Sequence, residues 1–265
     1  MATISAKDLA VAYGQKSILA DLSIDFPTGK ITSIIGANGC GKSTLLKALS
    51  RILPAEKGAV YLDGKDMQQI PTKEIAKQLA LLPQVQESLD GIRVYDLVSY
   101  GRFPHQNAFG RLTELDREKI DWALEVTQTM EFAQVSVQSL SGGQRQRVWI
   151  AMALAQDTDT IFLDEPTTYL DMQHQLEVLQ LLRKLNQENG KTIVMVLHDI
   201  NHAARFSDCL ISMKDGQVLH KGSVDEVITV EHLRQIFDIE AEILPASHYG
   251  YPILATYTRT KHSTK

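Results

Sequence analysis

The run Gly36-Ala37-Asn38-Gly39-Cys40-Gly41-Lys42-Ser43 combines three glycines, an ammonium and a hydroxyl in the spacing of a phosphate cradle. Glycine lets the main chain approach a polyphosphate with no Cβ in the way. A row of N–H groups leading into a helix N-terminus then offers positive partial charge to the anion. Lys42 has the reach for the β- and γ-phosphates of a nucleotide, and the Ser43 hydroxyl suits Mg2+. A second cluster, Ile161-Phe162-Leu163-Asp164-Glu165, sets two carboxylates at the end of an apolar strand. Solvated loop acids would look the same in isolation. Beside a phosphate cradle the pair fits phosphoryl transfer, with Asp164 holding the metal ion and Glu165 orienting or polarising the attacking water.

These groups need a scaffold, and the flanking periodicity supplies one. Lys30 to Ile35 is a short apolar, β-branched run, and Leu45, Leu46, Leu49 and Ile52 follow at helical spacing, so the glycines occupy a strand-to-helix turn. Ile4 to Tyr13, Ile18 to Phe26, Ile31 to Ile35 and Ala59 to Leu62 read as strands, with a turn at Pro27-Thr28-Gly29. From Val94 to about Met130 the pattern is helical, and Thr113 with Asp116 three residues on forms a capping box. Strand Thr160 to Leu163, helix Met172 to Leu185 closing near Gly190, strand Thr192 to Leu197, helix Ile200 to Phe206 and strand Leu210 to Met213 then alternate before the turn Lys214-Asp215-Gly216. Such alternation predicts a mostly parallel sheet covered by helices. The last thirty or so residues, strand-like at Ile253 to Tyr257 and polar at Lys261 to Lys265, form a short appendage.

Two other patterns carry chemistry on paper. His198-Asp199-Ile200-Asn201-His202 imitates a helical two-histidine zinc motif, but zinc needs both rings on one helix face and His198 is read as ending a strand. The histidines at 105, 174, 220, 232, 248 and 262 show no ligand spacing. Cys40 and Cys209 form no metal-spaced pair and allow at most one disulfide, which fits a reducing compartment. Cys40, at a helix N-terminus beside Lys42, is expected to have thiolate character and to lie against bound phosphate. Cys209, Trp122 and Trp149 read as packing residues.

With 265 residues, 44% of them hydrophobic, the chain can bury a core, and its net charge of −5 gives no basic footprint for nucleic acid. No apolar run approaches the ~18 residues of a membrane span, and Met1 to Gly14 lacks a signal-peptide layout, which predicts a cytoplasmic protein.

Further segments fall in the order found in the nucleotide-binding subunits of ABC transporters, which the chain resembles over nearly its whole length. Leu140-Ser141-Gly142-Gly143-Gln144 resembles the signature that contacts ATP held by a partner subunit, although Ser141 is a good helix N-cap in any case. Tyr13 stands where an aromatic stacks on adenine, though a plain strand aromatic would look alike. Gln84, in Leu82-Pro83-Gln84, matches the glutamine that links Mg2+ and water to the helical subdomain. Asp171, in Tyr169-Leu170-Asp171, matches the acid that couples the two sites, and His198 matches the switch histidine.

The resemblance thus implies catalytic roles for Glu165, His198 and Gln84, and Mg2+ ligation by Ser43, Gln84 and Asp164. It implies ATP contacts from Tyr13, Gly36, Asn38, Gly39, Cys40, Gly41, Lys42, Ser43, Thr44, Ser141, Gly142, Gly143, Gln144 and Asp171. The implied fold is an α/β P-loop NTPase core of the RecA-like type with a mostly parallel sheet, an N-terminal antiparallel β subdomain and an inserted helical subdomain. The implied boundaries are 1–84 and 156–230 for the core with the β subdomain, 85–155 for the helical signature part and 231–265 for the appendage.

Thr168-Tyr169-Leu170-Asp171-Met172-Gln173-His174-Gln175-Leu176-Glu177, Arg102-Phe103-Pro104 and Leu197 to Ala203 resemble the importers of ferric siderophores, haem and vitamin B12. That likeness implies a head-to-tail homodimer, peripheral at the cytoplasmic face of the inner membrane. It would dock on a permease through the helical subdomain and receive its solute by way of an extracytoplasmic binding protein. A soluble ABC ATPase of cofactor assembly would share the nucleotide motifs.

Overall fold

Alternating apolar and polar residues make Ile4–Tyr13 a half-buried strand, β1, which buries Ile4, Ala6, Leu9 and Val11. It pairs antiparallel with β2 (Lys16–Asp25), from Ser5 opposite Asp25 to Tyr13 opposite Lys16. Every residue of β3 (Ile31–Gly36) is buried, the mark of a strand covered on both faces, and helix α1 (Lys42–Leu49) follows. β4 (Lys57–Leu62) pairs with β1 and turns back through Asp63 and Gly64, both at positive φ, into β5 (Lys65–Asp66). The structure, a computed structural model, describes residues 3–84, 91–106, 110–246 and 250–260.

The chain divides into two compact units, one made of Thr3–Met67 with the residues from Val194 on, the other of Gln68–Ile193. The Gln68–Ile193 unit contains α2 (Thr72–Ala76), β6 (Leu79–Leu82), α3 (Val94–Ser99), α4 (Glu114–Val126), α5 (Gly142–Ala155), β7 (Thr160–Leu163), α6 (Met172–Asn189) and the start of β8 (Thr192–Val196). β6 and β7 run parallel, Leu79 opposite Thr160 and Leu82 opposite Leu163. The helical stretch expected from Val94 to Met130 is broken. α3 passes into a 3-10 turn at Tyr100–Arg102, and α4 starts afresh at the Thr113–Asp116 capping box that its sequence announces. α6 runs on past Leu185 to Asn189, where Gly190 takes the left-handed conformation that closes it.

Arg102 and Asp116 are the polar anchor of this unit. Arg102 Nε donates to Asp116 Oδ1 at 2.8 Å and a guanidinium N–H donates to Ala155 O at 2.7 Å, tying the turn after α3 to the start of α4 and the end of α5.

The other unit continues with the end of β8, α7 (Ile200–Phe206), β9 (Cys209–Lys214), β10 (Gln217–Gly222), α8 (Val224–Val227), α9 (Val230–Phe237), β11 (Ile239–Leu244) and β12 (Ile253–Arg259). β3 and β9 are parallel, Thr32 opposite Cys209 and Gly36 opposite Met213, while β9 and β10 form a hairpin through Asp215 and Gly216. The appendage holds more structure than its sequence suggests, with α9 and the antiparallel pair β11 and β12. Its polar end at 261–265 lies outside the described residues. Among the described residues no helix is long and apolar enough to cross a membrane.

Candidate functional site

The phosphate cradle begins where β3 ends. Gly36 has φ 154, and a Cβ there would stand 2.3 Å from Met213 O and 2.9 Å from Cys40 Sγ, so only glycine fits between β9 and the loop. Gly41 caps α1 with φ 105 and no side-chain capping bond, which leaves the first helical N–H groups turned toward the loop mouth. Lys42, 5% exposed, folds back over the loop, donating from Nζ to Gly36 O at 2.8 Å and to Ala37 O at 3.0 Å. Asn38 and Gly39 are exposed, while Ser43 and Thr44 lie in the first turn of α1. An uncapped helix start, glycines at positive φ and a retained ammonium together fit a polyphosphate.

Cys40 departs from its sequence-based expectation. It is buried, and burial pushes its thiol up despite the opposing pull of Lys42, so the thiolate is disfavoured. Helix-terminus arguments assume a solvated sulfur, whereas this one packs against Gly36. Cys209, at the start of β9, is likewise a buried thiol raised by desolvation.

Tyr13 sits at the end of β1, half exposed. Leu197, just past β8, donates its N–H to Ile34 O at 3.2 Å and delivers His198 to the surface before Asp199 caps α7. His198 therefore lies outside the helix that carries His202. Among the described residues no group of three or more histidine, cysteine, aspartate or glutamate side chains is placed to hold a metal ion.

In the Gln68–Ile193 unit the carboxylates emerge where β7 ends. Asp164 is 3% exposed and its N–H donates to Leu82 O at 2.9 Å. Glu165 adopts φ 55, a left-handed conformation that costs a non-glycine residue of order 1–3 kcal/mol and turns the chain abruptly. Its Oε2 accepts from Gln84 Nε2 at 2.5 Å and from Thr168 Oγ1 at 2.9 Å. Gln84 and Glu165, 81 positions apart, are thus joined directly. Because the Gln84 amide nitrogen faces Glu165, its carbonyl oxygen is the atom suited to a hard cation. Like the carboxylate of Asp164 it is an oxygen donor, the class that Mg2+ takes.

Ser141 caps α5 in a reciprocal box, Gln144 N donating to Ser141 Oγ at 3.3 Å and Ser141 N to Gln144 Oε1 at 3.0 Å. Ser141 and Gly142 are exposed at that helix start and Gly143 is buried. Asp171 caps α6 through His174 N at 2.9 Å, and its Oδ1 also lies 2.7 Å from His174 Nδ1. The bonds from His174, backbone first and ring second, hold the Asp171 carboxyl below its usual range.

Two residues at this site escaped the sequence reading. Thr168 could have been suspected from a hydroxyl three places after a strand-end acid. His174 stands three places after Asp171, within local reach, but its contact with Gly143 emerges only in the folded chain.

Residues 19–168 match the family model described as ABC transporter. The iron(3+)-hydroxamate import ATP-binding protein FhuC of Bacillus subtilis (strain 168) is 54% identical over 262 residues, 99% of this chain and 97% of that protein. A solved chain described as a metal-chelate type ABC transporter in an inward-facing conformation superposes with TM-score 0.82 at 28% identity, covering 97% of this chain and 96% of its own. A dimeric ATP-binding cassette in a post-hydrolysis state bound to ADP and Pi gives TM-score 0.72 at 31% identity, covering 83% of this chain and 98% of its own.

Proposed function

The chain belongs to the ABC transporter family and is an ATPase acting in transport, and from that premise we propose that it drives import of a ferric chelate through a membrane permease. The catalytic part rests on Glu165, whose carboxylate is aimed by Gln84 and Thr168 from the end of a buried strand. Held this way, Glu165 accepts a proton from the attacking water while Gln84 fixes its orientation. Lys42 leaves the loop carbonyls for the β- and γ-phosphates, and the N–H groups at the start of α1 bind the same oxygens. Tyr13 stacks on the base; Gly36, Asn38, Gly39, Cys40, Gly41 and Thr44 complete the loop wall; His198 senses the γ-phosphate. Ser43, Gln84 and Asp164 are the Mg2+ ligands, and the ion when bound neutralises phosphate charge.

Each chain carries one cradle and one signature. We assign Ser141, Gly142, Gly143 and Gln144 to the ATP of a second copy, with Asp171 coupling the two sites in a head-to-tail homodimer, as the dimeric cassette neighbour supports. The ferric cargo follows from the hydroxamate-import relative. The helical part, residues 85–155, is the permease-docking region, and its described portion presents Tyr100 and Phe103 stacked at 4.9 Å on the surface. Residues 85–90 and 107–109, which the docking assignment also includes, lie outside the described residues. The subunit then works at the cytoplasmic face of the membrane, and an extracytoplasmic binding protein supplies the permease.

Cells lacking this chain should lose uptake of ferric hydroxamate and regain it with the native chain but not with Glu165→Gln. The purified variant should bind ATP normally and hydrolyse it about 10²–10⁴-fold more slowly. Uptake that survives the deletion, with no second ATPase subunit present, would replace the importer reading with that of a soluble ABC ATPase.

A further inference from the structure

We propose that His174 is a positioning residue that locks the loop ending in Asp171 onto the first turn of α5, and that Gly143 is glycine because the His174 ring occupies the place of its side chain. The inference rests on the roles proposed above for Asp171 and the Ser141–Gln144 segment.

Three contacts carry it, all within the Gln68–Ile193 unit. Asp171 Oδ1 takes both the His174 N–H, at 2.9 Å, and its ring Nδ1, at 2.7 Å. The carboxyl is held in its ionised form, which only accepts, so Nδ1 carries the proton and donates. The opposite side of the ring covers Gly143, where a Cβ would lie 2.2 Å from His174 Cδ2, 2.6 Å from Cγ and 2.9 Å from Nε2. Gly143 sits within α5 and has no positive φ, so helix geometry makes no demand for glycine there. Beside the ATP contact assigned to Gly143, the imidazole makes a demand of its own. Leu170 of the same loop reaches the neighbouring glycine, its Cδ2 standing 3.9 Å from where a Gly142 Cβ would be.

The loop so held is also tied to α6 by Gln175, whose Nε2 donates to Leu170 O at 2.9 Å. Tyr169 is 92% exposed with φ 65, and Thr168 ties the other end to Glu165 at 2.9 Å. Contacts run from Gln84 through Glu165 to Thr168, and from Asp171 through His174 to Gly143, with the chain from Thr168 to Asp171 joining the two sets. Without the imidazole, Asp171 still caps α6 but no longer follows α5.

The test is steady-state ATP hydrolysis by the purified chain, alongside binding of a fluorescent ATP analogue under monomeric conditions. His174→Ala should raise the ATP concentration needed for half-maximal hydrolysis by about tenfold, as expected for loss of one charge-assisted hydrogen bond. Analogue affinity should not change, because Lys42 and its loop are untouched. His174→Asn, whose amide nitrogen falls near the position of Nδ1, should recover most of the loss. Gly143→Ala should be the more damaging single change, and it should cost less ATPase activity in the His174→Ala background than in the native chain, since the clash with the ring is then gone.

Native-like kinetics for His174→Ala, or a cost of Gly143→Ala as large in the His174→Ala background as in the native chain, would overturn the proposal. A native chain without ATPase activity would instead sink the functional reading on which it rests.

Discussion

Truncation of Arg102 to alanine probes the polar anchor of the helical segment, because the guanidinium is 2% exposed and bridges three elements. The change strands Asp116, itself 3% exposed, as a buried carboxylate without its cation. Breaking a buried pair by removing one partner costs about 3–5 kcal/mol. Asp116 Oδ2 keeps its two Thr113 donors, at 2.9 Å from the backbone and 2.7 Å from the hydroxyl, which places the loss at the low end. Ala155 O forfeits a donor worth about 1 kcal/mol, giving a total of about 3–4 kcal/mol.

The only two tryptophans, Trp122 and Trp149, lie in α4 and α5, the helices that Arg102 joins, so urea unfolding followed by their fluorescence reports on this region. With a slope of about 2 kcal/mol per molar, the midpoint should fall by about 1.5–2 M. Arg102→Ala and Asp116→Ala together should cost less than the sum of the single changes by at least about 1.5 kcal/mol, because the cycle subtracts the lost Thr113 cap.

The sign of the pH dependence follows from Asp116. Burial works to raise its pKa, but the Thr113 and Arg102 donors outweigh it and hold the carboxyl below its usual value. The ionised form therefore stabilises the fold above the unfolded pKa of about 4, and that stability is lost as pH falls through the folded value. The deficit of Arg102→Ala should accordingly narrow in acid. A midpoint shift under about 0.5 M at neutral pH, or a deficit that widens in acid, would refute the reasoning.

Two other outcomes follow from the same physics. Cys40 and Cys209 should resist iodoacetamide in the folded chain near neutral pH, with or without ATP, and react once the chain is unfolded, because both thiols are buried and raised; rapid, ATP-protected alkylation of Cys40 in the folded chain would reinstate its thiolate character. Mixing Lys42→Ala chains with Ser141→Arg chains should recover part of the ATPase activity that each lacks alone, since a mixed dimer gathers both lesions in one composite site; mixed dimers isolated by two tags yet inactive would count against the shared-site assignment.

Much of the site is local in origin and therefore legible in the sequence. The strand-to-helix turn at Gly36 to Ser43 is specified by adjacent periodicities. The Ser141–Gln144 box and the Asp171 cap each involve residues three apart. The strand at Thr160–Leu163 and the helix at Ile200–Phe206 fall at the residues their patterns mark. Short elements were less visible: the four residues of β6 carry too few side chains to show a period, and β10 alternates around polar residues that give no apolar signal.

What remained hidden depends on distance in sequence. The protonation of Cys40 is decided by burial against Gly36, and the same residue in solvent beside Lys42 would titrate the other way. Gln84 meets Glu165 across 81 positions, and Arg102 finds Ala155 across 53. Gly143 looks like any signature glycine until the His174 ring is seen to fill the space beside it. Sequence patterns therefore determined which groups could bind a nucleotide and which caps hold them. Tertiary packing decided which of those groups are charged, which touch, and why particular glycines cannot be replaced, since desolvation and steric exclusion depend on neighbours that only the folded chain brings together.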